Sequence, residues 1–349
     1  MTRWRRWVCA AGVAGVAALA PAQPALAHGG GDATSNYRTR ILGVEPAVPG
    51  LSVHLFDVQG TIEITYDGPG TLVVVGYEDE PYLRIGPGGV ERNVHSPATY
   101  LNEDRYARVP QPPEADASLE PEWEQLSSGR TAAFHDHRTH WMSDVPPSQV
   151  DADPGEVFVI YPRWEIPLSI DGSPAAIVGD LAWVPPPSGP PWVTLGFVVA
   201  AIVGVALAMA SRWQRLAVVV AALGSVIFII DTVGYLAALR TTSGQKAWLI
   251  VWPAVAVAAT IAMYVVRKRA AATPSAFIAL AALVIGAIGG WDRIDVIHRS
   301  QIQSSLPDWF ARAAAVTCLA LGATLLVRFL ADLVPRTVRP ARAIEPPAG

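Results

Sequence analysis

From Pro191 onward the chain is almost continuously apolar, and this limits its fold more than any motif does. An α-helix rises about 1.5 Å per residue, so roughly 20 apolar residues cross the hydrocarbon of a bilayer. Five segments have that length, at about Trp192–Ala210, Leu216–Leu239, Ala247–Val266, Ala271–Gly290 and Ala313–Phe329. Lipid offers the backbone no hydrogen bonds, so each segment is expected to be a helix. Pro274 falls near the start of the fourth, which makes that segment the weakest of the five as a spanning helix. The sequence thus predicts a five-helix transmembrane region over 192–334, followed by a tail at 335–349.

Basic residues orient the spans. Arg212 and Arg215 follow the first span, Arg267, Lys268 and Arg269 follow the third, and Arg336, Arg339 and Arg342 lie in the tail. The opposite loops carry only Arg240 and Lys246, then Arg293 and Arg299. This bias puts the tail inside and everything before the first span outside. Trp192, Trp291 and Trp309 suit the outer interface.

The N-terminus agrees with export. Arg3, Arg5 and Arg6 precede an apolar run from Trp7 to Ala20, and Ala25-Leu26-Ala27 is a small-residue cleavage motif. Residues 1–27 read as a signal peptide, which leaves His28 as the mature terminus; an uncleaved anchor is the alternative. Pro185-Pro186-Pro187-Ser188-Gly189-Pro190-Pro191 reads as a semi-rigid linker at 185–191.

Between them, 28–184 reads as strands. Thr61–Tyr66 alternates and is β-branched, Asp67-Gly68-Pro69-Gly70 is a turn, and Thr71–Tyr77 is a return strand, which predicts a hairpin. Val157–Tyr161, Trp164–Leu168 and Ala175–Trp183 are further strands, with Asp171-Gly172 as a turn. Val109–Glu124 is expected to be a surface loop, and Glu78-Asp79-Glu80 a solvated one. The expected fold is an all-β sandwich of immunoglobulin-like type.

From His28 to Ser188 there are 24 acidic residues against nine arginines and no lysine. A net charge of −15 excludes a nucleic-acid partner, which needs basic patches. Cys9 lies in the signal and Cys318 in a span, so the exported part has no thiolate ligand. No GxSxG or HExxH motif occurs, and the chain is not expected to be an enzyme.

One stretch stands out: Phe134-His135-Asp136-His137-Arg138-Thr139-His140-Trp141-Met142. In a strand, residues i and i+2 share a face. His135 and His137 could then meet one ion, while His140 and Met142 form a second pair of opposite parity. Either two sites exist or the chain turns near Arg138-Thr139. Imidazole suits copper, zinc or nickel, and the Met142 thioether suits copper(I). Ligation needs neutral imidazole, so binding is expected to weaken in acid. His28 adds an α-amine and a ring nitrogen from one residue, which with further imidazoles gives the tetragonal nitrogen set copper(II) favours. A metal-free polar cluster at the rim of the fold fits the same residues.

A signal ending in Ala-Leu-Ala directly before His28, a disulfide-free β domain and later His and Asp residues resemble the CopC-type copper-resistance domain. That resemblance implies a copper(II) site of an N-terminal His, an Asp and a His, carried here by His28 and Asp136-His137. This chain departs from it in two ways. Its Asp and His are adjacent rather than one residue apart, and it has no Met-rich segment. The chain as a whole also resembles actinobacterial exported membrane proteins of unassigned function, through Glu80–Asn93 (EPYLRIGPGGVERN) and Ser96–Asn102 (SPATYLN).

The expected metal ligands are therefore His28, His135, Asp136, His137, His140 and Met142, with copper as the ion. The expected function is extracytoplasmic metal binding, for homeostasis or delivery, by a domain anchored in the lipid bilayer and exchanging metal with another exported protein. Two other readings stand: an envelope protein that binds no metal, and a permease with an accessory domain. Asp231, a carboxylate deep in the second span, bears on the last; it is either functional or paired with Arg240, Thr232 or Tyr235.

Overall fold

The computed structural model describes residues 34–239, 243–269 and 275–333. Residues 1–27, expected to be a signal peptide, His28 and the tail lie outside them.

The N-terminal region is β-rich and antiparallel. Its strands are β1 (Thr34–Ser35), β2 (Tyr37–Glu45), β3 (Leu51–Leu55), β4 (Ile62–Tyr66), β5 (Leu72–Val75), β6 (Pro81–Gly86), β7 (Gly89–Asn93), β8 (Trp123–Ser127), β9 (Thr131–Phe134), β10 (Phe158–Ile170) and β11 (Ser173–Trp183). A seven-stranded sheet runs β2-β11-β10-β5-β6-β7-β8, and a three-stranded sheet runs β3-β4-β9. Both contribute to one core. Ile62 and Ile64 of β4, Leu72 and Val74 of β5, Ile166 and Leu168 of β10, and Ile177 and Leu181 of β11 are all buried in it. Each such side chain contributes roughly 1.5–3 kcal/mol of hydrophobic stabilisation.

The Asp67–Gly70 turn does not make the expected hairpin. β4 pairs with β3 and β9, while β5 pairs with β6 and β10. Both strands have the predicted alternation, every second residue being buried. Alternation fixes which face a strand buries but not which strand lies beside it. Here the turn carries the chain from one sheet to the other.

The Asp171-Gly172 turn behaves as read. Both residues have positive φ, 47° and 83°, as a two-residue turn of the primed type requires. It joins β10 to β11 in register from Ile170–Ser173 outward. The two expected strands at 157–168 are one strand, bent by irregularities between Val159 and Trp164. Residues 109–122 form a mostly exposed loop. Glu80 departs from the solvated reading. It is buried, accepting from Ser96 Oγ at 2.6 Å and from the Glu78 amide at 2.8 Å.

Among the described residues, five helices are long and apolar enough to cross a membrane: Pro190–Met209, Trp213–Ala238, Trp248–Lys268, Ser275–His298 and Asp308–Leu333. The chain is a multi-pass membrane protein. Pro190 and Pro191 open the first helix rather than belonging to a linker, since proline is well tolerated in a first turn. The fourth span is irregular within its described residues. It is α-helical over Ser275–Leu283, π-helical over Val284–Ile288 and 3-10 over Trp291–His298.

The contacts divide the chain into two compact units. One joins Met1–Pro190 with Val233–Lys246 and Asp295–Arg312; the other holds Pro191–Thr232, Ala247–Ile294 and Ala313–Gly349. The sequence boundaries at 184 and 192 are thus incomplete, because two later segments group with the β-rich region. The ties are specific. β1 pairs with β12 (Gln301–Ile302), the Asn36 side chain accepts from the Ser300 amide at 2.8 Å, and Ser300 Oγ donates to the Val184 carbonyl at 2.9 Å. In the helical unit, Asp231 pairs with Arg293, Nε to Oδ2 at 3.2 Å. Arg240 lies outside the described residues.

Candidate metal centre

The His-rich stretch leaves β9 and turns. Phe134 is the last strand residue, paired with Ile62 and buried in the core. Asp136 then caps a short 3-10 turn, His137–Thr139, by accepting from the Arg138 amide at 3.0 Å. Thr139 is buried beneath it. Its hydroxyl donates within reach of the Gly60 carbonyl, 2.8 Å, and the Asp136 carbonyl, 2.7 Å, while its own carbonyl accepts from Thr39 Oγ1 at 2.7 Å. Gly60 is required here: its φ is +93° and a Cβ would stand 2.8 Å from Thr139 Oγ1.

The turn brings three imidazoles together. His135, His137 and His140 each offer a ligand atom, all within 4.8 Å of one another. The closest pair is His135 Nε2 and His140 Nε2 at 2.7 Å. The chain therefore turns near Arg138-Thr139, and strand parity does not separate the rings.

Each outer ring has a backbone partner that fixes its tautomer. His140 Nδ1 lies 3.0 Å from the Trp141 carbonyl, and His137 Nε2 lies 3.0 Å from the Asp104 carbonyl. A carbonyl only accepts, so those nitrogens carry the protons. That leaves lone pairs on His140 Nε2 and His137 Nδ1. A proton on one nitrogen held by a carbonyl is the usual support of a metal-ligating histidine. The His137 amide also donates to Tyr77 Oη at 2.9 Å, and the two rings stack. Tyr77 Oη in turn donates to Asn102 Oδ1.

Two of the rings are held neutral. Burial, reinforced by His137 and the Arg105 guanidinium, lowers the His135 pKa to about 3. Burial, then His135 and Arg105, lowers that of His140 to about 2. Neutral imidazole is the ligating form. Arg105 also opposes any cation brought to the cluster. The Asp104 carboxylate works the other way, held ionised by the amides of Arg108 and Tyr106.

Asp136 does not join the histidines. Its side chain is fully buried and takes a two-pronged contact from Arg138, Nε to Oδ1 at 2.8 Å and Nη2 to Oδ2 at 2.7 Å. Arg138 also donates to the carbonyls of Val75 and Gly76 and lies over the Tyr77 ring. This carboxylate holds the turn against β5. Met142 is half-buried, and His28 lies outside the described residues. Of the remaining histidines, His54 and His298 are exposed, and His95 bonds the Glu120 carbonyl.

Sequence reasoning missed Tyr77, Asp104 and Arg105. They are far from the His-rich stretch in sequence and carry no motif. The ion pair of Asp136 with Arg138 was missed too, and an opposite charge two residues away is the signal that could have found it.

No protein-family model, curated protein or solved structure matches the chain.

Proposed function

We propose that the β-rich region faces outward and binds a transition-metal ion through His135, His137 and His140, with copper(II) as the leading candidate. The convergence of three ring nitrogens within 4.8 Å carries this reading. The residues fit the group. Three imidazole nitrogens suit copper(II) or zinc(II), and carbonyl bonds orient two of the rings. Two nitrogens on one tetrahedral ion at about 2.0–2.1 Å stand about 3.3 Å apart. The 2.7 Å between His135 and His140 would therefore open by a few tenths of an ångström on loading. In the absence of metal, one of these nitrogens donates to the other.

His28 is the proposed additional ligand. Five residues separate it from Thr34, and the six steps between them span about 20 Å when extended. The Thr34 carbonyl accepts from Gln59 Nε2 at 3.0 Å, and the Gln59 carbonyl accepts from Arg105 at 3.3 Å. Arg105 is the guanidinium beside the histidines, so the start of β1 is within that reach. An N-terminal amine would supply the tetragonal nitrogen set and draw the site toward the CopC-type arrangement. The proposed role is to hold the ion outside the membrane for storage or for transfer to an exported partner.

A second reading rests on the same bonds. His135 to His140, His140 to Trp141 and His137 to Asp104 also make a metal-free polar latch for the turn. The two readings separate on full-length protein in detergent, stripped with chelator, incubated with Cu(II) or Zn(II) and desalted. The metal reading expects about one ion per chain, falling at least fivefold in H135A/H140A. A wild-type chain that retains no more metal than a folded H135A/H137A/H140A variant would establish the latch instead.

A further inference from the structure

Away from the histidines, the half-buried Arg38 makes no ion pair among the described residues. Arg38 lies on β2, opposite Ala182 of β11. Its Nε is buried and makes no hydrogen bond. Arg40, two residues along the same strand, pairs with Asp180. Among the described residues Arg38 has no such carboxylate. The Nε itself is closed off, so the terminal nitrogens, which are neither bonded nor buried, are the donors an anionic ligand would meet.

Arg38 lines a half-open cavity of about 280 Å³, together with Thr39, Asp57, Ala238, Gln301 and Ser304. Ala238 is the last residue of the second span, and the fifth begins at Asp308, four residues after Ser304. Gln303 Nε2 donates to the Ala238 carbonyl at 2.7 Å, so these two span ends meet at the cavity. A helix end of this kind marks the polar boundary of the bilayer, where headgroup phosphates lie.

We propose that this cavity binds the phosphodiester of a phospholipid headgroup, with Arg38 as the principal donor. The guanidinium fork matches phosphate oxygens. The volume holds a phosphate and a small head alcohol and leaves the acyl chains in hydrocarbon. Asp57 is the one carboxylate in the lining. Its Oδ1 is committed to the amides of Gln59 and Thr61, at 2.9 and 3.1 Å. Its negative charge still selects a singly charged diester over a doubly charged phosphate. The inference is independent of the metal reading.

The test uses the full-length protein delipidated in detergent, as wild type, R38Q and R38K. Melting is followed with added phosphatidylglycerol, with diacylglycerol, or with inorganic phosphate alone. Phosphatidylglycerol should raise the wild-type midpoint by about 2–4 °C. R38Q should lose that gain and R38K keep part of it, with diacylglycerol inert throughout. A gain from inorganic phosphate that R38Q abolishes would keep the anion site and assign it to a free ion. Equal responses of R38Q and wild type, or equal effects of diacylglycerol and phosphatidylglycerol, would overturn the proposal. Phosphorus retained by protein purified straight from membranes gives a second readout, expected to be lower in R38Q by about one per chain.

Discussion

His135 Nε2 lies 2.7 Å from His140 Nε2, two imidazole nitrogens in direct contact, with burial keeping both rings uncharged. The contact joins residues on either side of a 3-10 turn, and its chemistry depends on who holds the proton. Without metal the two rings share one. With metal both nitrogens would be lone-pair donors.

Metal retention should therefore resist acid better than an ordinary histidine site. A ring with pKa 6.5 loses about tenfold in neutral population between pH 7.5 and 5.5, so two cost about a hundredfold in affinity. With pKa values near 3 and 2, His135 and His140 stay neutral across that range. Competition titration with a chromophoric chelator at both pH values should show a loss at least tenfold smaller. A full hundredfold loss would mean that the pair is solvated in solution.

The same shift destabilises the metal-free protein in acid. The folded-state pKa of His140 lies below the unfolded value of 6.5, so below pH 6.5 the unfolded chain takes up a proton that the folded chain refuses. The contribution is intact above pH 6.5 and is lost progressively as pH falls toward 2. His140 is only 1% exposed, and by pH 5 the cost is about 2 kcal/mol. Chelator-treated wild type should melt several degrees lower at pH 5 than at pH 7.5. H140Q should show a smaller difference between the two.

The sequence made parts of this arrangement visible and hid others for physical reasons. The spans were legible because lipid demands about 20 apolar residues, a signal that needs no partner. The Asp171-Gly172 turn was legible because positive φ at two successive residues is a local demand. Pairing is not local, and so the strands at 62–66 and 72–75 were found but wrongly joined. Glu80 looked solvated because a charged run gives no sign that Ser96 folds back onto it. At the histidines, parity reasoning allowed for a turn near Arg138-Thr139, and a turn is there. Parity could not show that Arg138 would claim Asp136, since the pair forms only once the turn has closed.

Asp136 gives a third prediction. If its carboxylate anchors the turn rather than ligating metal, its removal acts on stability. Deleting one member of a buried ion pair leaves the other charge stranded and typically costs 3–5 kcal/mol. Arg138 retains some solvent access, so D136A should cost about 3 kcal/mol in chemical denaturation. The D136A/R138M double variant should recover part of this, because no unpaired charge remains. Metal bound per folded chain should stay near wild type in D136N. A folded D136N that loses metal in proportion to a histidine variant would restore Asp136 as a ligand.

Two glycines in the β10–β11 pair separate steric from torsional demands. Gly179 faces the buried Trp164. A Cβ there would stand 2.0 Å from the indole and 2.3 Å from the Arg40 carbonyl. One of those neighbours is backbone in a paired strand and the other a large ring in the core, so neither yields cheaply. Overpacking of this kind costs about 1–3 kcal/mol or more, and G179A should lie at the upper end. Gly172 has open space around its Cβ position but a φ of +83°. G172A should cost only the torsional strain, about 1 kcal/mol. Denaturation midpoints of the two variants should therefore fall by clearly different amounts, with G179A the more damaged. If G172A is equally damaged, the turn is more tightly enclosed than its open surroundings indicate. If G179A is nearly neutral, Trp164 does not occupy the face of β11 on which the core of this region has been built.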